Sequence, residues 1–324
     1  MKEMPQIAQI VSVLVLACLV PGLSYAQNRW AVIISGASGG EKYAEQMATW
    51  RADLRSALID RYQFKPEFVK LFVDETATSG DKGSADNVKK FFAELKKGSA
   101  KDDFVLIVLL GHGTYDGNVA KFNLVGPDMT AKDWTDLLAG VQGRVTLVNT
   151  TEASFPFLET LTAKGRVVIT ATDSAAQKYA TVFPEYFVKA MKEASTDLDK
   201  NGRTSIFEVF TAASAAVKQH YEQRGQLTTE RALIDDNGDG KGREATAEGP
   251  DGGVARIAYL DSEVVPANAN PELAELIKKR RALEQQAEEH KELRGVMPEA
   301  EWQKTFEKLM LDLAMVSAEI RKKS

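Results

Sequence analysis

Short apolar blocks alternate with amphipathic segments along most of the 324-residue chain. Six blocks have the length and composition of strands, and they cover residues 30–36, 68–74, 104–111, 144–150, 166–172 and 254–260. The segments between them predict helices at residues 43–61, 85–97, 131–139 and 183–194, the second with Ser84 as its N-cap. This alternation is typical of an α/β protein with a mostly parallel six-stranded sheet flanked by helices.

The apolar block that ends at residue 110 leads to a candidate site. It has no polar face, which predicts a strand buried on both sides of a sheet, and it stops at Gly-His-Gly, residues 111–113. In open α/β sheets, ligands and chemistry collect at the carboxyl ends of the strands. His112 can exchange a proton near neutral pH, and the flanking glycines let another backbone approach closely. The alternative is that His112 only ends a glycine-rich turn.

After residue 261 the composition becomes charge-rich and helical, which predicts a linker and a C-terminal helical hairpin over residues 263–324. The last helix has the a/d spacing of a coiled coil, with apolar residues at Trp302, Phe306, Leu309, Leu313, Val316 and Ile320. The preceding helix, residues 271–294, carries Leu273, Leu276, Leu283 and Leu293. Two alternatives are open: the hairpin folds back on the globular part, or it binds a protein or peptide partner or a second copy.

Residues 1–26 have the pattern of a secretory signal peptide. Lys2 precedes an apolar stretch and a Pro-Gly break, and Ser24-Tyr25-Ala26 forms a small-x-small cleavage site. We therefore expect an exported protein, periplasmic or secreted, in which residues 27–262 form the α/β domain. Lipidation at Cys18 is the alternative. No later segment is long and apolar enough to be expected to span a bilayer.

Composition excludes several classes of function. Cys18 is the only cysteine, so a chain cleaved after residue 26 has no disulfide, no thiolate metal ligand and no cysteine nucleophile. A formal net charge of −5 gives no basic footprint for nucleic acid. His220 and His290 lie in helical stretches rich in Glu, Gln and Lys, which predicts solvated helix faces rather than a metal site.

Residues 197–208 fit the EF-hand loop pattern, with a glycine at the sixth position for the sharp turn. The ligands of a Ca²⁺ ion would be Asp197, Asp199, Asn201, the carbonyl of Arg203 and a bidentate Glu208. A threonine stands at the eighth position, where EF-hands usually have an aliphatic residue, so we do not expect pairing with a second loop. The alternative is a polar turn rich in Asx residues.

A second loop repeats the opening of this pattern with Asp235, Asn237 and Asp239. Its twelfth position is a threonine, so Glu244 or Glu248 would have to replace the missing glutamate. Both loops belong to an insertion at residues 195–250, between the fifth and sixth predicted strands. A bound calcium ion is therefore expected to brace this insertion rather than to take part in chemistry.

The order of these parts resembles the caspase and legumain clan of cysteine peptidases, and the legumain-like (C13) family in particular. In that family, one hydrophobic block is followed by His-Gly and a second by a Cys close before Ser-Gly. Here the first block ends in Gly-His-Gly, and the second, "RVTLVNTT", leads into "EASFPFL". The stretch "WAVIISGASGGEKYAEQMATWRADL" is also similar to the first strand and helix of the family. The resemblance covers residues 28–260 and implies a caspase-like fold.

The resemblance places His112 at the catalytic histidine and gives the amide of Gly113 a role in holding an oxyanion. The family's cysteine falls at Glu152, or at Thr151 if the alignment shifts by one residue. Neither side chain is a thiol: a carboxylate cannot form the thioester, and a threonine hydroxyl needs a strong base. A phenylalanine also follows Ser154, where the family has a glycine after its serine. Without that glycine, the tight turn that exposes the family's nucleophile is not expected.

Two hypotheses from different classes follow. In the first, the protein is a pseudoenzyme that acts in binding or assembly through a peptide cleft, the calcium loops or the hairpin. In the second, it is a peptidase or related hydrolase in which His112 activates Thr150, Thr151 or Ser154. We favour the first, because serine and threonine are common after strand ends. A third idea, a Glu152–His112 acid–base pair, competes with a structural ion pair between the same residues.

Overall fold

The computed structural model describes residues 28–74, 80–261, 271–291, 293–294 and 297–323 of the chain. The predicted signal peptide and the linker at residues 263–270 lie outside these ranges. The protein has an α/β fold in which a mostly parallel sheet is flanked by helices, as the alternation of apolar blocks predicts.

Ten strands lie in the described residues. Their bounds are Arg29–Ser35 (β1), Val69–Val73 (β2), Asp81–Lys82 (β3), Phe104–Leu110 (β4), Gly113–Tyr115 (β5), Ala120–Phe122 (β6), Met129–Thr130 (β7), Arg144–Asn149 (β8), Val167–Thr170 (β9) and Leu233–Asp235 (β10). Seven of them form the main sheet in the order β10-β9-β8-β4-β1-β2-β3, and only β10 runs antiparallel to its neighbour. The prediction of six strands is therefore wrong, although five of the six blocks are strands β1, β2, β4, β8 and β9.

Nine α-helices accompany the strands in the described residues. Their bounds are Glu41–Ser56 (α1), Ala85–Gly98 (α2), Ala131–Leu138 (α3), Phe155–Leu161 (α4), Phe183–Lys192 (α5), Ile206–Gln223 (α6), Gly253–Arg256 (α7), Pro271–Lys291 (α8) and Glu299–Lys323 (α9). Helix α1 continues as a π-helical turn, Ala57–Arg61. Ser84 caps α2 by accepting the amide of Asn87, which confirms the predicted start of that helix.

The central strand β4 explains why the sheet is covered on both faces. All seven of its residues are buried, and alternate side chains point to opposite faces of the sheet. Phe104, Leu106, Val108 and Leu110 join the core cluster under α1, α5 and α6. Val105, Ile107 and Leu109 join the cluster under α2, α3 and α4. An unbroken apolar run therefore fills two cores at once.

The prediction of a sixth strand at residues 254–260 is wrong. The first part of this block lies in the short helix α7, and only Tyr259 makes an isolated antiparallel bridge, to Ser205. The carboxylate of Asp236 accepts the amides of Gly252 and Ala255, at 2.7 and 2.8 Å, and so stabilises a helical turn. The sheet edge is formed instead by β10, antiparallel to β9.

Helices α8 and α9 form the predicted hairpin. They are antiparallel, because Lys323 lies 2.9 Å from Glu272 at one end, while at the other end Trp302 donates to the carbonyl of His290 at 2.9 Å. His290 is buried against the Trp302 ring, so the prediction of a solvated histidine is wrong here. The apolar cluster between the two helices consists of the buried side chains of Leu273, Ile277, Leu283, Val316 and Ile320.

Among the described residues, an ion pair joins the hairpin to the α/β domain. Arg203, in the first calcium-like loop, lies 3.1 Å from Glu284 of α8, and its guanidinium covers the ring of Tyr259 at 3.3 Å. The hairpin therefore folds back on the domain, one of the two alternatives that the sequence leaves open. In the part of the chain described here, no helix has both the length and the apolar composition needed to cross a membrane.

Candidate functional site

The Gly-His-Gly segment lies at the carboxyl edge of the main sheet, as predicted. Strands β1 and β8 are the parallel neighbours of β4, so their ends meet the end of β4 at this edge. Ser38 follows β1 and Glu152 follows β8, and both reach His112. Directly after the histidine, the chain turns into β5 of the small antiparallel sheet β5-β6-β7. Three separate loops thus converge on one side chain.

The ring of His112 has a defined set of partners. Its Nδ1 lies 3.3 Å from Oε1 of Glu152, and its Nε2 lies 3.2 Å from the carbonyl oxygen of Ser38. The ring of Tyr43 packs edge-to-face against it, with 4.7 Å between ring centroids. The His112 and Glu152 side chains are 20% and 13% exposed, so this pair is largely withdrawn from solvent.

These partners favour protonation of both ring nitrogens of His112. A carbonyl oxygen and an ionised carboxylate only accept hydrogen bonds, so both ring nitrogens satisfy their partners only when both carry a proton. The hydrogen bond to Glu152 raises the pKa of His112 above its ordinary value, and partial burial opposes that shift. The geometry therefore favours the imidazolium, which has no lone pair with which to act as a base.

The three candidate hydroxyls are buried and bonded elsewhere. Thr150 donates to the carbonyl of Leu109 at 2.7 Å, and Thr151 donates to the side chain of Asn149 at 2.9 Å. Ser154 shares a 3.0 Å hydrogen bond with the hydroxyl of Thr172 and accepts its amide. In the described residues, no hydrogen bond joins one of these hydroxyls to His112. The structure places Glu152, not a hydroxyl, beside the imidazole.

Gly113 lies where only a glycine fits. A Cβ atom at this position would lie 2.5 Å from the Oγ1 of Thr151 and 3.2 Å from the Cβ of Ala153. The residue also pairs with Phe122 of β6 in the small sheet. Close packing of two loops thus explains the second glycine of Gly-His-Gly.

A groove that the sequence analysis missed begins beside His112. It has a volume of about 900 Å³ and runs from Ser38 along α1 to Asp74 at the end of β2. Arg51 lines it and is nearly buried, donating to Ser35 at 3.0 Å. Burial lowers the pKa of Arg51, and the charge of Asp74 opposes that shift. A sequence signal exists: Arg51 falls between two buried positions of α1, where a hydrophobic residue is expected.

The first calcium-like loop gathers its carboxylates. Asp197, Asp199 and Glu208 each offer an oxygen within 4.8 Å of the others. The Asp197 carboxylate accepts the amides at loop positions five and six, at 3.1 and 2.9 Å, and Asn201 accepts the amide of Arg203 at 2.8 Å. Loss of hydration raises the pKa of Asp199, and the nearby charges of Glu208 and Asp197 raise it further. This is a concentration of negative charge that a cation would relieve.

Glu208 also has a structural role in this loop. Its Oε2 accepts the amide and hydroxyl of Ser205, and Ser205 accepts the Glu208 amide, which is a capping box at the start of α6. The strand-like part of the loop pairs with the segment around Tyr259.

The second calcium-like loop is a turn that its own side chains hold together. Asp235 accepts the amides of Gly238 and Gly240, at 3.0 and 2.9 Å, and the hydroxyl of Thr162 at 2.6 Å. The side chains of Asn237 and Asp239 each accept the amide two residues later. Among the described residues, only the first loop brings three carboxylates within 4.8 Å.

No protein-family model and no curated protein matches the sequence. Among solved structures, the chain is similar to the Drosophila initiator caspase Dronc, with a TM-score of 0.42 and 12% identity over 67% of this chain and 82% of that one. It is also similar to a protein from Geobacter sulfurreducens, with a TM-score of 0.41 and 13% identity over 64% of this chain and 92% of that one. These similarities assign neither a family nor an activity to the chain.

Proposed function

We propose that this chain is an exported, caspase-like pseudoenzyme that acts by binding and has no peptidase activity. The observation that carries the proposal is the environment of His112, whose two ring nitrogens both face acceptors. A peptidase histidine has to take a proton from a nucleophile, and it can do so only through an unprotonated nitrogen. Here Glu152 and the carbonyl of Ser38 favour the doubly protonated ring.

Strand order supports the relation to the caspase and legumain clan. The block that ends in Gly-His-Gly is β4, and the block after which that clan has its cysteine is β8. These two strands are parallel neighbours, so the residue in place of the cysteine lies beside the histidine. That residue is Glu152. Its carboxylate forms an ion pair with His112, where a peptidase of the clan has a nucleophile and a base.

The hydrolase alternative requires Thr150, Thr151 or Ser154 to act as the nucleophile. All three hydroxyls are buried and make their hydrogen bonds to other groups. Activation by His112 would require at least one of these bonds to break and the hydrogen bond between Nε2 of His112 and the carbonyl of Ser38 to open. The loss of these interactions makes a hydrolase less favourable than a protein that acts by binding.

The groove that starts at Ser38 is the proposed binding surface. It lies next to His112 and runs beside α1, with Glu41, Arg51 and Asp74 among its charged lining residues. A groove with both charge signs along a rigid helix suits an extended peptide, which offers backbone polar groups and side chains of both kinds. The partner class that we propose is therefore a peptide or an extended protein segment.

We also propose that the first calcium-like loop binds Ca²⁺ and braces the insertion. The ligands would be the side chains of Asp197, Asp199, Asn201 and Glu208 and the carbonyl of Arg203. Because the side chain of Arg203 contacts α8 through Glu284, a bound ion would also stabilise the attachment of the hairpin. The second loop is the weaker candidate, since Asp235 already satisfies three donors within the chain.

Cleavage of a peptide library tests the central proposal. The chain from residue 27 and its His112→Ala variant are incubated with the library, with and without Ca²⁺, and the products are analysed by mass spectrometry. Neither protein is expected to cleave any peptide. Cleavage by the wild type that is lost in His112→Ala would contradict the proposal and support the hydroxyl nucleophile.

Calorimetric titration with Ca²⁺ tests the metal proposal. The wild type is expected to bind one ion, Asp197→Asn to lose that binding, and Asp239→Asn, the matched control in the second loop, to retain it. Unchanged binding by Asp197→Asn would contradict the assignment of the site to the first loop.

A further inference from the structure

Helix α9 has a second apolar face that the hairpin does not use. Met310, Leu311 and Met315 are 43%, 61% and 51% exposed, and Ala314 between them is also exposed. Met310 and Ala314 are four positions apart, as are Leu311 and Met315, so the four residues form two adjacent rows of one broad stripe on the helix surface. The residues that pack against α8, among them Val316 and Ile320, lie on another side of α9.

Among its described residues, the exposed surface of α8 has no comparable apolar stripe, so such a stripe is not needed to form the hairpin. The exposed positions of α8 are mainly polar, including Glu275, Lys278, Lys279 and Gln286. The two helices belong to the same hairpin and meet the same solvent, yet only α9 combines three large exposed apolar side chains in one stripe. Contiguous exposed apolar surface of this kind is typical of interaction sites.

The charges next to the stripe are complementary to those of a second copy. Glu307 and Arg321 are both exposed, and each lies seven residues from Ala314, on opposite sides of it. Seven residues are about two helical turns, so both side chains lie within about 20° of Ala314 around the helix and roughly 10 Å from it along the axis. In an antiparallel pair of α9 helices that cross at Ala314, each Glu307 faces an Arg321 of the other copy.

The sizes of the apolar residues fit the same arrangement. A twofold axis at Ala314 places Met310 of one copy opposite Ala318 of the other, a large side chain against a small one. The small residue at the crossing point lets the two helices approach closely. A parallel pairing would instead place Glu307 against Glu307 and Arg321 against Arg321, which like-charge repulsion disfavours.

We infer that the chain forms a homodimer through this face of α9, with the two α9 helices antiparallel about Ala314. The two hairpins then form a four-helix bundle, and the two α/β domains lie at its periphery. Helices packed in this way bury the apolar stripe of both copies, and the Glu307–Arg321 pairs set the direction and register. The inference is independent of whether the α/β domain has peptidase activity.

Sedimentation equilibrium of the chain from residue 27, at several concentrations, tests this inference. The wild type is expected to show a monomer–dimer equilibrium, and the variant Leu311→Ser with Met315→Ser is expected to be monomeric. The matched control is Ala282→Ser on the exposed side of α8, which should leave the equilibrium unchanged. A wild type that stays monomeric overturns the inference, as does a dimer that the Leu311→Ser, Met315→Ser variant retains at full strength.

Charge reversal tests the antiparallel register. Glu307→Arg alone and Arg321→Glu alone should each weaken the dimer at least about tenfold, because each places like charges in contact. The double variant should restore dimerisation to near the wild-type strength, since the pairs reform with their signs exchanged. Failure of the double variant to recover, with its circular dichroism unchanged, overturns the proposed register. Binding of a monomeric wild type to anionic phospholipid vesicles would assign the stripe to a membrane surface and overturn the homodimer.

Discussion

Replacing His112 with alanine removes two hydrogen bonds that join the loops after β1, β4 and β8. The ring donates to Glu152 at 3.3 Å and to Ser38 at 3.2 Å from a side chain that is 20% exposed. A hydrogen bond that involves a charged group contributes roughly 1.5–3 kcal/mol, and these two are long. We therefore expect His112→Ala to lower the free energy of unfolding by about 2 kcal/mol at about pH 5.5.

The pH dependence of this loss follows from the raised pKa of His112. A histidine whose pKa is higher in the folded than in the unfolded state contributes stability that is fully present below the unfolded pKa, about 6.5. That contribution disappears as the pH rises through the folded pKa. The difference in unfolding free energy between wild type and His112→Ala should therefore be largest near about pH 5.5 and smallest near about pH 9.

Urea unfolding at about pH 5.5, 7 and 9, followed by circular dichroism, measures this difference. Glu152→Gln is the matched variant, because it keeps the size of the side chain and removes its charge. In that variant, the NMR-measured pKa of His112 should fall towards its ordinary value. A His112→Ala loss that is constant with pH, or that grows as the pH rises, would refute the imidazolium bridge.

Three further substitutions test the packing around the site, each by urea unfolding. Gly113→Ala should destabilise the protein by about 1–3 kcal/mol through its contact with Thr151, and adding Thr151→Ala should recover part of that loss; no recovery would show that the steric explanation is wrong. Ser205→Ala should cost about 1 kcal/mol by removing the capping box with Glu208, and an unchanged stability would contradict that role. Asp235→Asn should lower the free energy of unfolding by about 1–3 kcal/mol, because the NH₂ group of asparagine cannot accept the backbone amide that one carboxylate oxygen accepts in the wild type. An unchanged stability would mean that the turn does not depend on this carboxylate.

The main sheet could be predicted largely from local pattern. The seven buried residues of β4 have no polar face, and a run of that kind is found in strands covered on both sides. Strand β10 could not be predicted, because three residues, Leu233–Asp235, are too few to show a period. The block at residues 254–260 misled in the opposite direction. It is short and apolar like a strand, but Asp236, at least 16 residues away in sequence, stabilises a helical turn there.

The candidate site depended more on contacts between distant segments. The position of His112 at a strand end was a local signal. Its pairing with Glu152 was suggested only through the family resemblance, because it requires β4 and β8 to be neighbours, which the sequence does not specify locally. Nothing in the sequence around Ser38 indicates that its carbonyl meets the imidazole. The burial of His290 likewise depends on Trp302, which belongs to the other helix of the hairpin.

Both edges of the main sheet are short, and this affects how copies of the chain can aggregate. One edge is the two-residue β3, with exposed Asp81 and Lys82, and the other is the three-residue β10. So short an edge presents few unpaired amide and carbonyl groups, and a charged one resists the addition of another strand. The two edge strands of the folded sheet therefore give little template for the addition of a strand from another copy.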